Sequence, residues 1–203
     1  MAIANFSTKM ARLNASLEAV GSNTHVETLQ KWRERGLEGE AMVSLTRGEG
    51  EPEPKTASDI AKYLTRGSPA VALAMTELLD VHAFDPLNPD LHQHQKLIIG
   101  EATPANAYYL QAALRACLVD ARILHAGLSN KAKSRLVDQF NDPKSQLKCL
   151  IMMYDVGAVG LNLHIACNRV FIASVGRSFA LEEQLCGRAL RESTFVSHAL
   201  TQY

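Results

Sequence analysis

Leu147-Lys148-Cys149-Leu150-Ile151-Met152-Met153 is an apolar run broken by one lysine, and Tyr154-Asp155-Val156-Gly157-Ala158-Val159-Gly160-Leu161-Asn162-Leu163 follows it directly. A short run without alternation is the pattern of a strand covered on both faces. Moving outward, Leu97 to Ile99 before Gly100, Ala121 to Leu124 and Arg169 to Ala173 read as strands of the same kind. Between them lie amphipathic stretches. Pro104 to Leu118 predicts a helix with Tyr108, Leu110, Leu114 and Leu118 inward, Ser129 caps another carrying Leu136, Val137 and Phe140, and Ala180 to Leu190 is a third. Phe195 to Leu200 is a candidate last strand. Strands alternating with helices predict an α/β fold over residues 96–203, with a doubly wound parallel sheet and helices on both faces.

The first 95 residues lack this alternation and read as a mostly helical region. Ile3, Phe6, Met10, Leu13 and Leu17 recur at helical spacing. Thr56 to Asp59 offers caps for a helix through Ile60, Tyr63 and Leu64, and Ser68-Pro69 begins another with Val71, Met75, Leu78 and Leu79 on one face. Residues 36–56 are acidic and rich in Gly and Pro, which predicts an exposed linker. Asp85-Pro86-Leu87-Asn88-Pro89 then breaks the chain before the α/β domain.

Composition narrows the class. The chain has 203 residues, 47% hydrophobic and 21% charged, which fits an ordinary soluble globular protein and excludes disordered and collagen-like chains. No run approaches the roughly 18 apolar residues of a membrane span, so no membrane partner is expected. The four cysteines lie far apart without a Cys-x-x-Cys pair, a pattern that indicates neither zinc nor a disulfide framework and fits a reducing compartment. His92 and His94 have no carboxylate or thiol partner at ligand spacing, so no metal site is read there. Net charge is zero, yet residues 1–95 carry nine basic against thirteen acidic groups and residues 96–203 twelve against eight. That mild basic bias is compatible with a phosphate-bearing partner.

Ligands of open α/β sheets sit beyond the carboxyl ends of the strands, and three loops there carry chemistry. Gly157 and Gly160 let the backbone approach a ligand closely and leave amides free for an anion. Gln184-Leu185-Cys186-Gly187-Arg188-Ala189-Leu190-Arg191 sets two arginines three apart on one helix face, with Gln184 one turn before Arg188. Planar, permanently charged guanidinium groups suit the oxygens of a transferring phosphoryl group. The bland alternative is a solvated face paired with Glu182, Glu183 and Glu192. His125-Ala126-Gly127-Leu128-Ser129 joins a strand to a helix whose first turns hold Lys131 and Lys133, an arrangement able to hold a nucleic-acid phosphate.

Taken in order, KLIIG, HAGLSNKAKSRLVDQFND, GAVGLNL and QLCGRALR resemble the second RecA-like lobe of superfamily-two helicases, most closely a divergent branch of the Swi/Snf-related chromatin-remodelling ATPases. The resemblance implies that Arg188 and Arg191 contact the nucleotide's terminal phosphate, with Gln184, Gly187, Gly160 and Asn162 in the same cleft. It implies that Gly157 and Leu161 couple nucleotide state to a nucleic-acid track, and that His125, Gly127, Ser129 and Lys131 lie near that track. ATP with Mg, double-stranded DNA or chromatin, a RecA-like first lobe and a nuclear location are implied with it. Tyr154 stands where many relatives have a small hydroxyl residue, and Glu192-Ser193-Thr194 replaces the usual residues after the second arginine.

Such an ATPase also needs a Gly-x-x-x-x-Gly-Lys-Ser/Thr phosphate loop and an acidic metal-binding motif. Gly50 to Thr56 only mimics the loop's ending, with Pro54 where glycine is required. The expectation is therefore one lobe of a two-lobed engine, inactive without its first lobe. The alternative is a non-catalytic nucleic-acid or protein-binding module derived from such a lobe.

Overall fold

The computed structural model describes residues 6–20, 31–32, 34–78, 96–156, 161–163, 165, 167, 169–189 and 196–197. In chain order its elements are α1 (Phe6–Val20), α2 (Glu38–Thr46), α3 (Ala57–Thr65), α4 (Pro69–Leu78), β1 (Leu97–Glu101), α5 (Pro104–Ala116), β2 (Asp120–Leu124), α6 (Asn130–Asn141), β3 (Leu147–Met153), β4 (Val170–Ile172), α7 (Phe179–Ala189) and β5 (Val196–Ser197). They fall into two compact units, one of residues 1–72 with 108–118 and the other of residues 73–107 with 119–203. Helix α5 is divided between the units at Tyr108.

The second unit holds a five-stranded sheet in the order β2-β3-β1-β4-β5, with every pairing parallel. Central β1 is buried at each residue, and Leu97 to Glu101 lie opposite Cys149 to Met153 of β3. Burial of successive residues means that both faces of the strand are covered. This is the parallel α/β architecture expected from the apolar runs, and it is RecA-like as the resemblance implied. The connection after β1 leads toward edge strand β2, whereas the one after β3 crosses β1 to reach β4.

At the opposite end of β1, Lys96 is 1% exposed. Its Nζ donates to the carbonyls of Phe140 at 2.5 Å and Asp142 at 2.7 Å and lies 5.3 Å from the centre of the Phe140 ring. The last carbonyls of a helix lack intrahelical partners and attract positive charge, so Lys96 joins the start of the central strand to the end of α6. Burial lowers its pKa from the ordinary lysine value.

The first unit is helical and built on a parallel device. Lys9 of α1 is wholly buried, its Nζ donating to the Tyr63 carbonyl, to the Arg66 carbonyl at 3.0 Å and to the Tyr109 hydroxyl at 3.4 Å. The Tyr63 ring lies 4.1 Å from the ammonium, and Tyr109 donates to the Leu64 carbonyl at 2.7 Å. One lysine thus closes the carboxyl end of α3. Thr56 and Asp59 form a reciprocal capping box at its other end, as the spacing predicted.

Four expectations are corrected here. The acidic stretch taken as an exposed linker contains α2, whose Met42, Val43 and Thr46 are buried. Arg12 bonds Glu51 at 2.7 Å and the Thr46 carbonyl at 3.1 Å, in space that a side chain at Gly48 would fill. Leu118, expected inward, is 96% exposed at φ 64°, because α5 ends two residues earlier. Tyr109 is buried in the first unit where Tyr108 was expected, and on α4 it is Val71 and Ala74 that are buried. Ile3, Leu79, His92 and His94 lie outside the described residues.

Replacing Lys9 by Met leaves the buried Tyr63 carbonyl and the part-buried Arg66 carbonyl without their donor and is expected to lower stability by about 1–3 kcal/mol. Burial brings the Lys9 pKa down to about 8 from 10.5. Between those values the unfolded chain binds more protons than the folded one, so this contribution to stability rises with pH. Denaturant melts at pH 7 and 9.5 should show the gap between wild type and Lys9→Met widening. A gap that stays constant or narrows contradicts the burial of this ammonium.

Candidate functional site

Gly100 of β1 lies directly beneath α7. A Cβ there would collide with Leu185 of α7 and lie 2.9 Å from the Tyr154 hydroxyl, so glycine is what allows α7 to rest directly on β1. Leu185 is 2% exposed, and α7 packs on both β1 and β4. With Leu185 inward, Gln184 and Arg188 are carried past the end of β3, where they line a small cleft with Met152, Tyr154, Val156 and Leu181. The cleft has room for about one water molecule.

Arg188 is half-buried, and its Nη1 is buried without a hydrogen-bond partner among the described residues. The solvated-face alternative gave this helix glutamate partners, yet Glu182 Oε1 instead accepts from the Gly176 amide at 2.7 Å. The Arg188 carbonyl accepts from the Leu163 amide at 3.1 Å, and the Asn162 carbonyl accepts from Asn141 of α6 at 2.7 Å. Residues 161–163 therefore bridge α6 and α7. Gln184 and Gly187 are exposed on α7, Asn162 is exposed, and Leu161 is half-buried. Gly157, Gly160 and Arg191 lie outside the described residues.

The third loop stands apart from these, after edge strand β2. Its Ser129 caps α6 by accepting from the Ala132 amide at 3.2 Å. Gly127, Ser129 and Lys131 are exposed, and His125 is half-buried. Burial, aided by the Lys133 ammonium, holds the His125 pKa below the ordinary histidine value. Exposed Lys131 and half-buried Lys133 lie in the first turns of α6 that follow this loop.

Sequence reasoning missed the group that binds the strand-end loops together. Glu101 is 1% exposed, and its Oε1 accepts from the Ala102 amide at 2.8 Å, the Thr103 amide at 3.0 Å and the Ser174 hydroxyl at 2.6 Å. The Thr103 hydroxyl at 3.3 Å and Asn106 at 3.5 Å complete the shell. Ser174 Oγ also accepts from the Ala102 amide at 2.7 Å, and Tyr154 donates to the Ser174 carbonyl at 2.8 Å. Burial, then the nearby Glu182 and Glu101 carboxylates, push the Tyr154 phenol well above its ordinary value, so it remains a donor. One signal was present: a carboxylate ending an otherwise apolar strand needs partners.

Removing the shared acceptor with Glu101→Ala should cost about 2–4 kcal/mol, and Glu101→Gln, which keeps an oxygen, clearly less. Thermal melts measure both. Equal losses would mean that the oxygen at this position is not what joins the loops.

Of the solved protein chains, 34 are similar in structure. One is the C-terminal part of the Fun30 ATPase domain, with a TM-score of 0.53 and 18% sequence identity over 70% of this chain. The present chain spans 45% of that structure, and the likeness is one of fold. No curated protein matches in sequence. A family model for the helicase conserved C-terminal domain matches residues 79–193, more than half of the sequence, so the chain belongs to the helicase C-terminal domain family.

Proposed function

We propose that this helicase C-terminal domain is the second lobe of a Swi/Snf-like, ATP-dependent DNA translocase and supplies arginine fingers to a nucleotide held mainly by a first lobe. The observation that carries the reading is Arg188, whose buried Nη1 lacks a partner among the described residues beside Gln184 at the end of β3. A guanidinium held in that state has donors to offer to phosphate oxygens. Arg191 follows one turn later in sequence, and Gln184, Gly187, Gly160 and Asn162 are assigned to the nucleotide side. ATP with Mg is the cofactor proposed. Its metal-binding acids are assigned to the first lobe, since no group of three potential ligands occurs among the described residues.

His125, Gly127, Ser129, Lys131, Gly157 and Leu161 are assigned to the backbone of double-stranded DNA, with chromatin and the nucleus as the setting. The named structural relative is an ATPase, which supports the setting by fold alone. The hydrogen bonds from Leu163 to Arg188 and from Asn141 to Asn162 support a mechanical role for residues 161–163. A shift of α7 on nucleotide binding would pass through them toward α6, whose amino end carries the DNA-side residues.

One observation favours the second reading, a non-catalytic binding module. Tyr154 lines the cleft beside Arg188, where the resemblance implies a smaller residue, and little space remains.

DNA-stimulated ATP hydrolysis by the 203-residue chain, alone and with a separately supplied first RecA-like lobe, decides between them. The translocase reading expects turnover only with the added lobe, and a loss of about 1,000-fold or more in Arg188→Ala and in Arg191→Ala. Turnover unchanged in both variants removes the finger assignment. A separate measurement tests the track: replacing Lys131 and Lys133 together should weaken duplex binding for every sequence alike and reduce the log–log salt slope by about 2. An unchanged slope places the track elsewhere.

A further inference from the structure

Tyr154 joins β3 to the far side of the central strand. The sheet order places β1 between β3 and β4, and Tyr154 leaves β3 with its amide donating to the Glu101 carbonyl at 3.3 Å. Its side chain crosses β1, and the hydroxyl donates to the carbonyl of Ser174, after β4, at 2.8 Å. The distance from β3 to β4 is two strand spacings, roughly 9–10 Å. A serine or threonine side chain falls short of that, whereas a phenol with a hydrogen bond at its tip covers it. Gly100 leaves the way open, since a Cβ there would lie 2.9 Å from the Tyr154 hydroxyl.

Ser174 holds the far end of that contact in place. Its amide donates to the Gly100 carbonyl at 3.4 Å, its hydroxyl donates to Glu101 at 2.6 Å, and its Oγ accepts from the Ala102 amide at 2.7 Å. Slightly farther on, the Gly176 amide donates to Glu182 at 2.7 Å, which fastens the same loop to the first turn of α7. The phenol therefore bonds the base of α7. At the other end of that helix, the Arg188 carbonyl accepts from the Leu163 amide at 3.1 Å. The stretch leaving β3 is thus tied to α7 twice, at the base by Tyr154 and at the last turn by Leu163. Between the ties, Leu185 of α7 reaches the same point above Gly100 as the phenol. A helix held at one end can pivot about it, and one held at both ends keeps its register.

We propose that Tyr154 is a positioning residue: its bond to the Ser174 carbonyl holds α7 in register with the stretch leaving β3 and thereby sets where Arg188 stands. The consequence for hydrolysis rests on the translocase reading, whereas the placement of Arg188 does not.

Tyr154→Phe removes the donor and keeps the ring, so the whole 203-residue chain should still fold and melt within about 4 °C of the wild type. Amide hydrogen exchange measures the register. In the variant, exchange at Leu163, whose own bond lies at the other end of α7, should quicken by about tenfold or more, while Ile99 in β1 follows only the global change in stability. The Arg188 Nε–Hε resonance, assigned by its absence in Arg188→Ala, should move as well. Unchanged exchange at Leu163, an unmoved Arg188 resonance, or equal acceleration at Leu163 and Ile99 overturns the proposal. With a separately supplied first lobe, Tyr154→Phe should lower kcat about tenfold and leave KM within about twofold, because transition-state contacts are misplaced while binding is kept. An unchanged kcat also overturns it. No turnover by the wild-type chain with that lobe removes the translocase reading alone, and the exchange and resonance measurements still decide the role of Tyr154.

Discussion

Everything in the second unit is arranged around a strand that cannot reach water along its length. β1 lies between β3 and β4 with each of its residues buried, so its ladder satisfies its backbone and its apolar side chains fill both faces. The difficulty moves to its ends, where side chains must be polar enough to meet turning backbone yet remain inside. Lys96 solves this at the entrance by donating to the last carbonyls of α6, and Glu101 solves it at the exit by collecting amides and hydroxyls from two loops. Each buried charge is answered by groups that a helix or turn would otherwise leave unpaired.

The first unit repeats the lysine solution without a sheet. Lys9 closes α3 as Lys96 closes α6, and each ammonium also lies over an aromatic ring. An ammonium is suited to this task because its three donors can serve two carbonyls at once. The cost is desolvation, which lowers the pKa of both lysines. Buried lysines are here helix-terminating groups, a role distinct from catalysis although their titration is displaced in the same way.

At the strand ends the same economy shapes the candidate site. Gly100 lets α7 sit close, Leu185 fixes which face of α7 turns outward, and Tyr154 spans from the end of β3 to the loop after β4. Those contacts position Arg188, and no ion pair with a glutamate holds it among the described residues. Its main-chain bond to Leu163 then links two of the four stretches that carry the family resemblance. A change in α7 has a short route to α6, which is the structural content of the proposed coupling.

Much of this was legible in the sequence. Short, mainly apolar runs and intervening amphipathic stretches identified parallel strands, because a strand covered on both faces tolerates such a run; β3 spans the residues its run predicted, and Ser129 and Thr56 cap the helices they precede. Local chemistry of that kind is written in neighbouring residues. What tertiary structure alone decided was every interaction between residues far apart in the chain: Lys9 with Tyr63, Glu101 with Ser174, and Arg12 with Glu51 inside a stretch whose composition reads as linker. Composition reports average solubility, whereas burial of a particular charge depends on which distant donor or acceptor the fold delivers to it. The exposed Leu118 belongs to the same class, since helical periodicity predicts a face but not the residue at which a helix stops and its next side chain turns outward.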